Sequence, residues 1–249
     1  RSPYPQILPL AGTILVLDRS GSMAVETNEI EAVQYVQEAG LFLYHSSNDD
    51  ELVGTFVYNG FVDELFSYGP YDAGNDLEEV DFFAAEGLTN IAGALDEAVD
   101  TLEQAHAETG PNGARIVLLS DGVQTTGRDL WDQVERANGL GIRIDTLSFG
   151  AADAATMEAI AGNTDGQATP VSEREDANEL KMVMTRRLSE IRGRTPIFTH
   201  LGEIPANEIA SENGIQQWTR TFVVPPFSGD LQAYDFFPRE MPKGDFALR

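Results

Sequence analysis

Two short apolar runs constrain this chain most. Thr13-Ile14-Leu15-Val16-Leu17 and Ile116-Val117-Leu118-Leu119 are continuous rather than alternating, and the acids Asp18 and Asp121 follow close behind them. A continuous apolar strand is buried on both faces, the condition of a central strand in a parallel sheet covered by helices. Each run therefore delivers an aspartate to a loop at the carboxyl edge of a sheet.

The rest of the chain supplies the other layers. Helical spacing runs from about Glu26 to His45, with Ile30, Val33, Val36, Ala39 and Leu43 on one face. Leu52 to Tyr58 reads as a strand, Asn59-Gly60 as a hairpin turn, and Phe61 to Tyr68 as the antiparallel partner. Pro70 to Asp81 is a polar acidic connection without the spacing of a calcium loop. After Thr89-Asn90 a helix places Ile91, Leu95, Ala98, Val99 and Leu102 on one face and Asp96, Glu97 and Asp100 towards the other. A further helix spans about Asp129 to Leu140, and Ile142 to Phe149 is a strand. Thr156 to Ala161 reads as a short helix stopped by Gly162, and Gln167 to Val171 as an edge strand. Ser172 and Glu175 form a capping box for a last helix through Leu180, Met184, Leu188 and Ile191.

Alternating strands and helices predict an α/β fold: a doubly wound, mostly parallel, Rossmann-like sheet with one antiparallel edge strand. After Gly193 the pattern changes. Pro196, Pro205, Pro225-Pro226, Pro238 and Pro242 punctuate short runs such as Trp218 to Val224 and Leu231 to Phe237, an all-β signature. The expected organisation is an extension over 1–11, an α/β domain over 12–193, and a β-rich segment over 194–249 that either packs on the α/β domain or belongs to a β-sandwich. The opening Arg1-Ser2-Pro3-Tyr4-Pro5 reads as a trimmed or processed end.

Composition narrows the function. Acidic residues outnumber basic ones 41 to 16, for a net charge of -25, and the only lysines are Lys181 and Lys243. Such a surface repels a nucleic-acid backbone. The ordinary reading is a solvated acidic coat; a sharper one is adaptation to high salt, where screening relieves self-repulsion. No apolar run is long enough to span a bilayer. The chain has no cysteine, which removes disulfides, zinc thiolates and thiol nucleophiles.

Ligands of a doubly wound sheet gather beyond the carboxyl ends of its central strands, at the switch point. Three loops meet there. The first carries Asp18, Ser20 and Ser22, the second Thr89, the third Asp121. Each residue also has an ordinary role as a turn former or helix cap. Together they form a set of hard oxygen donors, suited to octahedral magnesium or manganese completed by water.

With these residues in place, the chain resembles a von Willebrand factor type A domain with a metal-ion-dependent adhesion site. The D-x-S-x-S motif is Asp18, Ser20 and Ser22, the threonine element is Thr89, and the aspartate element is Asp121 within Leu118-Leu119-Ser120-Asp121-Gly122. One departure is Leu88, where relatives commonly have glycine. The runs Leu15 to Met23 and Val117 to Gly122 look especially like the calcium-activated chloride channel regulator type, in which a β-sandwich follows the A domain. That group's metalloprotease motif is missing: no H-E-x-x-H surrounds His45, His106 or His200.

The resemblance implies that Ser20, Ser22 and Thr89 contact Mg2+ (with Mn2+ or Ca2+ as alternatives) through hydroxyls, while Asp18 and Asp121 act mostly through water. With little direct negative charge from the protein, the cation stays electrophilic and takes a carboxylate from a protein partner. It also implies coupling to movement of the last helix. An enzyme is not expected: there is no G-x-S-x-G elbow or phosphate-binding G-x-x-x-x-G-K-[ST] loop, and the three histidines are scattered. The expected function is an extracellular or cell-surface adhesion module. The alternatives are an intracellular assembly module acting with a partner ATPase, or a metal that only stabilises the loops.

Overall fold

The computed structural model describes residues 12–24, 26–27, 30–45, 47, 51–72, 84–121, 123–149, 153–171, 210–212 and 215–217. The chain divides into two compact units, Arg1–Met184 and Thr185–Arg249. In the first, a six-stranded sheet contains β1 (Thr13–Asp18), β4 (Leu52–Tyr58), β5 (Val62–Pro70), β6 (Arg115–Ser120), β7 (Arg143–Phe149) and β8 (Ala168–Val171). Its order is β5-β4-β1-β6-β7-β8, all parallel except β5, which pairs antiparallel with β4 at one edge. This is the expected doubly wound, mixed sheet. The chain leaves β1 to build β4 on one side and later returns to build β6 on the other. The switch point therefore lies at the carboxyl end of β1.

The apolar runs are central because both their faces are covered. Ile14, Val16, Ile116 and Leu118 join one core cluster with α2 (Ile91–Ala105), α3 (Leu130–Gly139) and α4 (Ala154–Asn163). Leu17 alternates to the other side, towards α1 (Ala32–His45). A side chain at Gly40 of α1 would collide with Leu17, its Cβ 2.4 Å from a Leu17 methyl, so glycine permits the close helix–strand contact. In α2 the residues Ile91, Leu95, Val99 and Leu102 are all fully buried. Their burial contributes on the order of 10 kcal/mol before entropy is counted.

Three local expectations are corrected. The helix placed from about Glu26 begins only at Ala32, because β2 (Glu26–Thr27) and β3 (Ile30–Glu31) pair as a two-residue antiparallel ladder ahead of it. Glycine does not stop α4 at Gly162. The helix runs from its Asp153 cap through Asn163 and ends at Thr164, beside Asp165 in the left-handed region at φ 53°. The Asn59-Gly60 hairpin forms, but its connection is Asn59, Gly60 and Phe61, and Gly60 does not use the left-handed region. Instead the Asn59 side chain accepts from the Phe61 N–H at 3.0 Å, while the Asn59 N–H donates to the Phe61 carbonyl.

In the second unit, β9 (Ala210–Glu212) and β10 (Ile215–Gln217) pair antiparallel. The capping box at Ser172, the last helix, the acidic stretch 73–81 and the runs from Trp218 and Leu231 lie outside the described residues. No helix among the described residues is long and apolar enough to cross a membrane.

Candidate metal centre

Asp18 ends β1 and is fully buried. Its Oδ1 accepts the backbone N–H of Ser20 at 2.8 Å, closing a tight turn. Its Oδ2 accepts the Ser120 hydroxyl at 2.6 Å and the Tyr58 hydroxyl at 3.1 Å. Both donors come from the neighbouring strands β6 and β4. The carboxylate is thus held from both sides by the sheet. Burial raises its pKa, and the nearby Asp121 charge adds to the rise, while the Ser120 and Ser20 hydrogen bonds oppose it. Burial and the Asp18 charge also hold the Tyr58 phenol well above its ordinary value.

Past the turn, the Ser20 and Ser22 hydroxyls lie 3.1 Å apart, one buried and one exposed. They do not cap a long helix: a single 3-10 turn over Gly21–Ala24 follows, and α1 starts only at Ala32. Two backbone hydrogen bonds fasten this loop to the one carrying Thr89. The Gly21 N–H donates to the Gly87 carbonyl at 3.1 Å, and the Glu86 N–H to the Arg19 carbonyl at 3.0 Å. Gly87 sits at φ +78°, a conformation that costs a side-chain residue energy. The loop's left-handed residue is therefore Gly87, and the unusual Leu88 is left exposed beside it.

Thr89 is 3% exposed and does not cap α2. Asn90 does, accepting from the Gly93 N–H at 2.9 Å. Thr89 is instead clasped by the loop after β6. Its N–H donates to the Thr125 hydroxyl at 2.8 Å, and its carbonyl accepts the N–H groups of Thr125 and Thr126. Gln124 in the same loop accepts from Ala92 N–H, satisfying an open donor in the first turn of α2.

Asp121 follows β6. Its Oδ1 is buried and has no hydrogen-bond partner among the described residues. A buried carboxylate oxygen without a donor is costly, and the compensating group is a cation or an ordered water. This orphaned oxygen fits a bound ion at the loops. The chemistry of the other donors fits too: hydroxyls at Ser20, Ser22 and Thr89, carboxylates at Asp18 and Asp121, no nitrogen and no sulfur, the set a hard divalent ion prefers. Among the described residues no three His, Cys, Asp or Glu side chains are grouped so that they could hold a metal ion, so any site here depends on hydroxyls.

The five residues singled out from sequence thus lie on three loops at one sheet edge, stitched together by backbone hydrogen bonds. Tyr58, Ser120 and Thr125, which position them, were missed. Ser120 stood beside Asp121 in the recognised run, but nothing local marked Tyr58, whose role depends on β4 lying next to β1.

Sheet and loops define the class: a doubly wound α/β domain with an oxygen-rich cluster at its switch point. The chain belongs to the von Willebrand factor type A domain family, whose profile matches residues 14–186. This is a family of protein-interaction modules whose members often bind a divalent metal.

Solved structures agree on the fold. A von Willebrand factor type A protein from Catenulispora acidiphila is 17% identical with a TM-score of 0.61, covering 73% of this chain and 42% of its own. The SpRpn10 VWA domain is 15% identical with a TM-score of 0.57, covering 78% and 100%. The manganese-loaded Plasmodium vivax TRAP protein is 17% identical with a TM-score of 0.55, covering 72% and 73%. No curated protein matches the chain by sequence.

Proposed function

We propose that this domain is a metal-dependent docking module: Ser20, Ser22 and Thr89 hold Mg2+ through their hydroxyls, Asp18 and Asp121 support it, and a protein partner offers a carboxylate. The orphaned buried Oδ1 of Asp121, beside the Asp18–Ser20–Ser22 turn, carries this reading. When bound, the ion supplies an electrophilic position for an acidic side chain. The protein does the rest. Asp18 has both oxygens engaged by Ser20, Tyr58 and Ser120, which suits it to orienting the loop and balancing charge rather than to direct ligation. Ser22 is an exposed residue, open to a partner's approach. Placement outside the cell or on its surface belongs to the same proposal.

Calorimetric titration with magnesium and manganese tests it. The wild type is expected to bind and to melt at a higher temperature as metal rises, while Asp18→Ala loses both effects. Equal titrations for the two proteins would remove the proposal. Stripping metal with EDTA should return the wild type to its metal-free melting temperature.

A further inference from the structure

Exposed large apolar side chains are unevenly placed on the first unit. Among the described residues they are Phe61, Leu88, Val123 and Trp131, exposed by 79%, 55%, 49% and 40%. All four sit at the carboxyl edge of the sheet. Phe61 ends the β4–β5 connection, Leu88 precedes Thr89, Val123 follows closely on Asp121, and Trp131 opens α3. The opposite edge has none among the described residues. Apolar groups gathered beside one site mark a contact surface, whereas scattered single ones do not.

Two of these side chains, Leu88 and Val123, stand on loops that carry candidate ligands, Phe61 stands on the adjoining β4–β5 hairpin, and hydrogen bonds hold these segments in place. Asn59 braces the tip bearing Phe61, and its carbonyl accepts the Asn90 N–H at 2.9 Å, tying the hairpin to the Thr89 loop. The hairpin and that loop touch: a Cβ on Gly60 would lie 3.8 Å from the Leu88 Cβ. Thr125 and Thr126 donate to the Thr89 carbonyl and draw the Val123 loop to the same place. The rim is thus presented with little ordering cost left for a partner to meet.

Charge selects the occupant. A chain of net charge -25 repels an anionic lipid surface and a second copy of itself. A single carboxylate on a peptide reaches the site where the cation attracts it, and the apolar side chains beside the site add no repulsion of their own. The rim residues Gly60, Phe61, Gly87, Leu88 and Val123 are all uncharged.

We propose that the site reads an acidic residue flanked by apolar side chains in an extended segment of a partner protein, with Phe61 and Leu88, supported by Val123, receiving the apolar flanks. This rests on the metal-docking reading above and names its partner's chemistry.

The test uses three short synthetic peptides followed by NMR titration of the full chain in excess magnesium. One has an aspartate between leucines, the second has it between glycines, and the third has asparagine between leucines. The leucine-flanked aspartate is expected to bind about tenfold more tightly than the glycine-flanked one. Chelation should abolish its binding, and the asparagine peptide should bind no better than the glycine-flanked one. Phe61→Ser and Leu88→Ser should each erase most of the leucine preference and leave the magnesium titration unchanged. Both residues are exposed, so the variants fold, and unchanged magnesium uptake verifies it. Equal binding of the two aspartate peptides overturns the proposal. So does a preference that survives both substitutions, or one that survives chelation. Self-association of the wild type that Phe61→Ser abolishes also overturns it, since the rim would then seat a second copy. A wild type that takes up no magnesium removes the metal reading and this proposal with it; uptake without peptide preference removes this proposal alone.

Discussion

Single residues in this domain are governed by what the sheet places against them. Tyr68 on β5 is an example away from the loops. Its hydroxyl lies 2.9 Å from His106 Nε2, and the ring packs edge-on against the imidazole. Gly12 makes room for it: at φ +82°, a Cβ there would fall 1.8 Å from the Tyr68 hydroxyl. Burial raises the Tyr68 pKa from 10.0 to about 12. The folded state therefore favours the neutral phenol, while the unfolded chain releases its proton first. The stability Tyr68 contributes is complete below pH 10 and is lost as pH rises through about 12. Denaturant titrations across that window should show stability falling in the wild type and falling less steeply in Tyr68→Phe, with Tyr58 sustaining the remaining decline. At neutral pH the same substitution should cost about 1 kcal/mol for the lost hydrogen bond. Gly12 and Tyr68 are far apart in sequence, and neither residue type signals the other, so this contact had no local signature.

Among the elements, α2 and α3 are joined by charge as well as by their apolar faces. Arg136 of α3 pairs with Asp96 at 3.0 Å, with Glu103 at 2.6 Å and with Asp100, all on α2, and Arg128 reaches Asp96 at 3.0 Å. Asp96, Asp100 and Glu103 are helical neighbours three or four residues apart, so without a cation they repel one another. Arg136→Ala should lower stability by about 1 kcal/mol at low ionic strength, and by less in molar KCl, where the repulsion is screened. Chemical denaturation at the two salt concentrations measures the difference; a loss independent of salt would assign the effect to packing of the arginine stem. The apolar face of α2 was legible because its period matches 3.6 residues, and Asp96, Glu97 and Asp100 read correctly as the opposite side. Their arginine partner was not legible, since it depends on α3 lying beside α2. The start of α1 was misread for a related reason. Ile30 continues the helical period, yet the Glu26–Thr27 and Ile30–Glu31 pairing takes that stretch out of the helix.

For the whole molecule the dominant quantity is its charge of -25. Self-repulsion on that scale opposes the compact state and is relieved by salt. The melting temperature is expected to rise between low and molar KCl; no gain would leave the acidic coat as simple solvation. Sequence by itself determined the doubly wound class, because continuous apolar runs bury both faces only inside a parallel sheet and their order along the chain sets the winding. It also determined the donor chemistry at the strand ends, since Asp18, Ser20, Ser22, Thr89 and Asp121 are short oxygen side chains whatever surrounds them. Only the tertiary structure decided what acts on those donors. Tyr58 and Ser120 reach Asp18 because β4 and β6 flank β1. Asn90 rather than Thr89 caps α2 because the loop after β6 engages the Thr89 backbone. Phe61, Leu88 and Val123 share one rim because three loops distant in sequence end at one sheet edge. Periodicity and side-chain chemistry are local and can be read along the chain; hydrogen-bond partners and exposure are pairwise and exist only once distant segments meet.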